Sequence, residues 1–353
     1  MNLQQDKRIV LTLDAGGTNF VFSAVQGGTE IVEPVTLASE GNHLEKCLKN
    51  IIEGFHQVKQ KLSGEPVAIS FAFPGPSEYP EGIIGDLANL SAFRGGIALG
   101  PMLEEKFNIP VFINNDGDLF AYGEAINGFL PEINHKLAQF GSPKRYNNLL
   151  GITLGTGFGG GIVRNGELFI GDNSAGGEIW LMRNKKHHAC IVEEGASIRA
   201  VTRVYHNLSS EADNDITPKD IFEIAKGVKS GDQKAAIAAF EELGEVVGDA
   251  LANALTLIDG MVVIGGGLTG AAEFILPAMI NELNSSIQAL SGEKFPRMEL
   301  QAFNLEDENE MAAFLQGEKR KIKVPLTDKE TVYDPLKRIG LGLSRLGDRK
   351  SVV

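Results

Sequence analysis

Cysteine is nearly absent: two residues, Cys47 and Cys190, in a chain of 353, too few for a disulfide framework. Long apolar runs are missing as well. The opening MNLQQDKRIVLTLD holds none that would serve as a signal peptide or a membrane span, so a soluble, cytoplasmic protein with no membrane partner is expected. Basic residues are in deficit, 33 Lys and Arg against 46 Asp and Glu, and the net charge of −13 opposes binding to nucleic acid. The one concentrated basic stretch, Lys319-Arg320-Lys321-Ile322-Lys323, sits beside acidic Glu306, Asp307, Glu308 and Glu310 and reads as a solvated face. Hydrophobic residues reach 43%, an ordinary share for a chain that buries a core, and the length suggests about two domains.

Glycine is what the chain has in excess. Its 42 residues are about 12% of the total, where about 7% is average, with no G-X-Y period. The excess is local. Arg8 to Asp14 forms an apolar strand pattern, Ala15-Gly16-Gly17-Thr18 breaks it, and Asn19 to Val25 resumes it. The same unit returns at Leu149 to Leu154, with a turn at Gly155-Thr156-Gly157, a second strand through Arg164, and a hairpin signal at Asn165-Gly166.

Between and after these repeats, strands and helices alternate. The spacing of Leu44, Cys47, Leu48, Ile51, Ile52, Phe55, Val58 and Leu62 predicts an amphipathic helix over 43–62, which makes Cys47 a small buried hydrophobe rather than a reactive thiol. Strands are expected at Val67–Phe73 and Val111–Ile113, a helix from Asp118 to Asn127, a long helix over 234–258, a buried strand at Met261–Ile264 ending in Gly265-Gly266-Gly267, and a late strand at Arg297–Phe303. The alternation indicates an α/β fold, here with domains of 1–125 and 126–353.

Gly155-Thr156-Gly157-Phe158-Gly159-Gly160 satisfies the dinucleotide pattern G-x-G-x-x-G, but those glycines should open a helix and here they run into a strand. Instead, two strand-turn-strand units each carry small residues and a threonine, so that backbone N–H groups could approach a polyphosphate closely; a pair of ordinary hairpins is the plainer alternative. Asp14 before the first turn is a candidate Mg²⁺ organiser, through water if not directly, or a turn aspartate. Asp116 follows a strand and precedes a helix, where it could act as a general base or as a helix N-cap.

Several of these segments together resemble the ROK family of sugar kinases and repressors. They are Asp14-Ala15-Gly16-Gly17-Thr18-Asn19, Pro74-Gly75-Pro76 with Asn89-Leu90, Asn115-Asp116-Gly117-Asp118 with Tyr122-Gly123-Glu124, Leu154 to Gly161, and Gly176-Gly177-Glu178-Ile179. The resemblance implies an actin-like (ribonuclease H-like), duplicated two-domain sugar kinase fold with ATP and a sugar in its cleft. It implies that Asp14, Gly16, Gly17, Thr18 and Asn19 form the first phosphate loop, Gly155, Thr156 and Gly157 the second, and Gly265, Gly266 and Gly267 the nucleotide-side turn. Gly75, Asn89, Asn115, Asp116, Glu178 and Glu193 would lie on the sugar, with Asp116 as the base. ATP and Mg²⁺ are the implied cofactors, and a homodimer is compatible with the family.

This chain also departs from the family pattern. Members commonly carry a His after Gly-Glu-Ile-Gly and a C-x-C-G-x-x-G-C zinc loop, whereas here Glu178-Ile179-Trp180-Leu181-Met182 occupies the first place and only Cys190 remains near the second. Structural zinc is therefore not expected, and His187-His188-x-Cys190 lacks a fourth ligand. Trp180 could stack on a pyranose or fill the core. Family chains finish with a long helix returning to the first domain, and Ser351-Val352-Val353 falls where it would begin. With the first strand starting near residue 8, a repressor's helix-turn-helix is not expected. The expected activity is ATP-dependent phosphorylation of a hexose such as glucose. The alternatives are fructose, mannose or an N-acetylhexosamine as acceptor, or a sugar-sensing protein.

Overall fold

A computed structural model describes residues 5–73, 75, 77–86, 92–209 and 215–347. The chain forms two compact units, Met1–Gly123 with Ile170–Gly176, and Glu124–Phe169 with Gly177–Gly347. The division lies between Gly123 and Glu124, and Ile170–Gly176, which the sequence places in the second domain, groups with the first. The expectation that the C-terminal residues return to the first domain falls on 348–353, outside the described residues.

In the first unit, β1 (Ile9–Ala15) and β2 (Asn19–Gln26) pair antiparallel, and β3 (Val35–Ala38) pairs with the outer side of β2. Helix α1 (Leu44–Gln60) follows. Its Cys47, Ile51, Phe55 and Val58 are fully buried, each large apolar side chain among them contributing about 1.5–3 kcal/mol. Strand β4 (Pro66–Ala72) lies parallel to β1, and β5 (Val111–Asn114) parallel to β4. Helix α2 (Asp116–Ile126) begins at Asp116, ahead of the expected Asp118. Asn115 is the reason: its Oδ1 accepts from the Gly117 N–H at 2.6 Å, an N-cap bond that starts the helix early.

The second unit repeats this plan. Strands β6 (Leu149–Leu154) and β7 (Phe158–Arg164) pair antiparallel. Asn165 and Gly166, both at positive φ, turn the chain into β8 (Glu167–Leu168). After the long helix α3 (Gln233–Ile258), whose first turn is capped by Asp232 through the Ala235 N–H at 3.0 Å, β9 (Met261–Gly265) lies parallel to β6. Every β9 residue is buried, as a central parallel strand covered on both faces requires. Helix α4 (Ala272–Leu283) comes next, and β10 (Gln301–Asn304) and β11 (Arg338–Leu343) complete the parallel side, in the order β8-β7-β6-β9-β11-β10. The late strand thus begins at Gln301 rather than Arg297 and runs one residue past Phe303. Before it, Arg297 is held by Asp249 of α3 at 2.9 Å, and its N–H donates to Ser285 O at 2.8 Å.

Candidate active site

Register places the functional segments of the first unit side by side. Asp14 pairs with Ala72, and Ala72 with Asn114, so three parallel strands end level. From those ends emerge the Gly16–Asn19 turn, the segment holding Gly75, and Asn115-Asp116. The carboxyl ends of parallel strands are where open α/β sheets bind ligands.

In the first turn, Asp14, Gly17, Thr18 and Asn19 are exposed and Gly16 is half-buried. A Cβ on Gly16 would stand 2.7 Å from the Asn19 carbonyl oxygen, while one on Gly17 would meet nothing within 4 Å. The turn is closed at one site and open at the next. Ser39 holds it from behind, its Oγ donating to Gly17 O at 2.7 Å and its N–H to Thr18 O at 2.9 Å. Asp116 is exposed at the head of α2, and its Oδ1 accepts from the Gly117 N–H at 2.9 Å. Gly75 is exposed beside Tyr79, whose hydroxyl donates to Phe73 O at 3.1 Å. Asn89 lies outside the described residues.

The second unit brings its own pair of turns together. Thr153 of β6 is level with Gly265 of β9, so Gly155-Thr156-Gly157 and Gly265-Gly266-Gly267 leave neighbouring strands at the same edge. Gly266 has φ +91°, and a Cβ there would lie 2.7 Å from the Leu154 backbone nitrogen; only glycine fits that approach. Side chains on Gly155 and Gly267 would meet nothing within 4 Å. Gly267 opens the 3-10 turn Gly267–Ala271 that leads into α4, so an open glycine surface adjoins the start of a helix, a favourable setting for an anion.

Glu178 and Glu193 are both half-buried in this unit. The Trp180 indole N–H donates to Glu178 Oε2, and Trp180 packs on the core of the unit, so core filling describes it better than an exposed stacking face. Glu193 reaches the second turn, accepting from the Phe158 N–H at 3.0 Å. No sequence signal marks that contact, because its donor is a backbone group.

Between them, the loop Arg183–Ile191 closes on Asn184, which is fully buried. Its Oδ1 accepts from the Lys186 and His187 N–H groups at 2.9 and 3.1 Å. Lys185 pairs with Glu245 and Glu282 at 2.9 and 2.6 Å, and these bonds outweigh partial burial to raise its pKa. His187, His188 and Cys190 are exposed. Among the described residues no group of three or more His, Cys, Asp or Glu could hold a metal ion, and no helix is long and apolar enough to cross a membrane.

Three known proteins resemble the chain over most of its length. A glucokinase of Halalkalibacterium halodurans is 29% identical over 299 residues, 75% of this chain and 82% of that protein. An N-acetyl-D-glucosamine kinase of Photobacterium profundum is 28% identical over 275 residues, 72% and 83% of the two chains. The crystal structure of a glucokinase from Parabacteroides distasonis superimposes with a TM-score of 0.93 at 57% identity, covering 99% of this chain and 96% of that one. The actin-like two-domain fold of the sugar kinases is therefore the fold of this protein. The ROK family model matches residues 10–313, a span that takes in both glycine turns, Asn115-Asp116 and the Gly265–Gly267 edge, and the chain belongs to the ROK family.

Proposed function

We propose that the protein is an ATP-dependent sugar kinase that phosphorylates a hydroxyl of a hexose, glucose in the first instance, with Asp116 as general base. The observation that carries this is the level ending of β1, β4 and β5, which sets an exposed carboxylate at a helix start beside an open glycine turn. The kinases among the relatives, and the 57% identity to a glucokinase, support the same activity.

The residues present suit Mg²⁺ and ATP. Gly17 and Gly267 leave open backbone where phosphate oxygens need N–H donors, while at the second turn the Gly155 N–H is held by Gly157 O at 3.0 Å; Asp14 is an exposed carboxylate at the first turn that would hold the metal through water. When bound, MgATP supplies the phosphoryl group and the metal's neutralising charge. Asp116 would accept the proton of the attacking sugar hydroxyl at a carboxylate oxygen. Asn115, Gly75, Glu178 and Glu193, with Asn89, would orient the sugar. Asn115 is already fixed by its cap bond to Gly117, so its remaining polar capacity is aimed without a search over rotamers.

A coupled ADP-release assay over glucose, fructose, mannose, N-acetylglucosamine and N-acetylmannosamine tests the proposal. Stimulation by glucose above the ATP-only background is expected. Stimulation by N-acetylglucosamine alone would move the acceptor toward the Photobacterium relative's substrate. Binding without ADP release would favour a sensor.

A further inference from the structure

Glu193 joins two segments that lie 35 residues apart in the chain. It stands in the 3-10 turn Val192–Gly195. Its Oε2 accepts from the Phe158 N–H at 3.0 Å, and its Oε1 from Arg199 Nη2 at 3.2 Å. A Cβ on Gly157 would stand 2.7 Å from that Oε2, so the bare glycine is what admits the carboxylate. The other end of the turn is held from the same segment, by the Ile198 N–H on Gly155 O at 2.9 Å.

We infer that Glu193 is a positioning residue that fixes the Gly155–Gly157 turn for the nucleotide phosphates, beyond any contact it makes with the sugar. The inference rests on the proposed kinase reading for the identity of that turn. Beyond the bond from the Gly155 N–H to Gly157 O at 3.0 Å, a run of glycine, threonine and glycine has little conformational preference of its own and would present its remaining N–H groups over a spread of directions. Clamping it at Gly155 and at Phe158 removes that spread before the ligand arrives. A bare carboxylate beside a phosphate would repel it; here Arg199, shared with Glu194 at 3.0 Å, and Arg203, 3.5 Å from Glu194, set two cations against the two carboxylates. A sugar hydroxyl that drew on the same carboxylate would alter its hold on Phe158, so sugar and nucleotide affinities are linked through one side chain.

The test measures the Kd of Mg²⁺ with the non-hydrolysable analogue AMP-PNP, and hydrogen exchange of the Gly155–Gly160 peptide, in wild type, Glu193→Ala and Glu193→Gln, all without sugar. The Ala variant should bind AMP-PNP about tenfold more weakly, as loss of a hydrogen bond to a charged group gives, and exchange faster at this peptide. The Gln variant keeps an oxygen for the Phe158 N–H and should recover most of both. Wild-type values in the Ala variant, or equal loss in Ala and Gln, overturn the inference. If the Ala variant does not fold, Arg199→Ala replaces it: an unclamped carboxylate should weaken AMP-PNP about threefold, and no change overturns the inference. A wild type that binds AMP-PNP but phosphorylates no sugar removes the kinase proposal alone, and one that binds no AMP-PNP removes both.

Discussion

Gly266 and Leu154 are packed backbone to backbone: a Cβ on Gly266 would lie 2.7 Å from the Leu154 nitrogen and closer still to its carbonyl oxygen. That approach holds β6 and the start of the β9 turn at one level, and it separates the roles of adjacent glycines. Gly266→Ala combines this clash with φ +91° and should cost about 1–3 kcal/mol in denaturant unfolding. Gly267→Ala faces open space and should stay within about 0.5 kcal/mol of wild type while weakening AMP-PNP binding. Equal destabilisation by the two would contradict the packing.

Asp116→Asn should lower kcat by roughly 10²-fold or more, the effect of losing a general base. The fold should survive, because the side chain is exposed at the first position of α2, where losing a favourable helix-dipole charge costs about 0.3–1 kcal/mol. Initial rates and a thermal melt on the same sample check both halves, and wild-type turnover would remove Asp116 from its role.

Arg338 and Asp334 form an ion pair with both side chains fully buried, at 2.6 Å. Burial disfavours the Asp334 carboxylate, but hydrogen bonds from Arg338 and from the Glu318 and Leu336 N–H groups outweigh it and hold its pKa below the usual range. A carboxyl lowered on folding adds stability above its unfolded pKa of about 4, and that stability is lost as pH falls through the folded value. Asp334→Ala should therefore cost about 3–5 kcal/mol near neutral pH, since it strands a buried guanidinium. The Tm gap between wild type and Asp334→Asn should narrow as the pH drops below about 4. A gap that stays constant between neutral and acid pH would exclude this linkage.

Cys47 is fully buried, and burial, with Glu40 nearby, pushes its pKa up to about 11. Cys190 is exposed. An alkylating reagent near neutral pH should add one label to the native protein and two after unfolding. Two rapid labels in the native state, read by intact mass, would contradict the burial of α1.

Much of this was legible from residue types alone. The two strand-turn-strand units could be read because glycine and threonine interrupt β-branched runs, and α1 because its apolar period is unbroken. The early start of α2 is not legible there, because the Asn115 cap that sets it is a bond seen only in three dimensions. Arg297–Leu300 alternates like a strand, yet the Arg297 ion pair with Asp249 draws it to a helix. The level ending of β1, β4 and β5 depends on register, which composition does not encode. Glu193 was visible as a candidate, but its hold on Phe158 was not, because any residue other than proline has an N–H to offer.

Trp180 is the only tryptophan in the chain, and its indole is tied to Glu178, a residue proposed to meet the sugar. The protein thus carries its own optical probe. Its entire indole emission comes from one ring, bonded to one carboxylate, so a shift in emission maximum on adding hexose would report a change in the surroundings of that one ring, with no label and no second fluorophore of its kind to subtract.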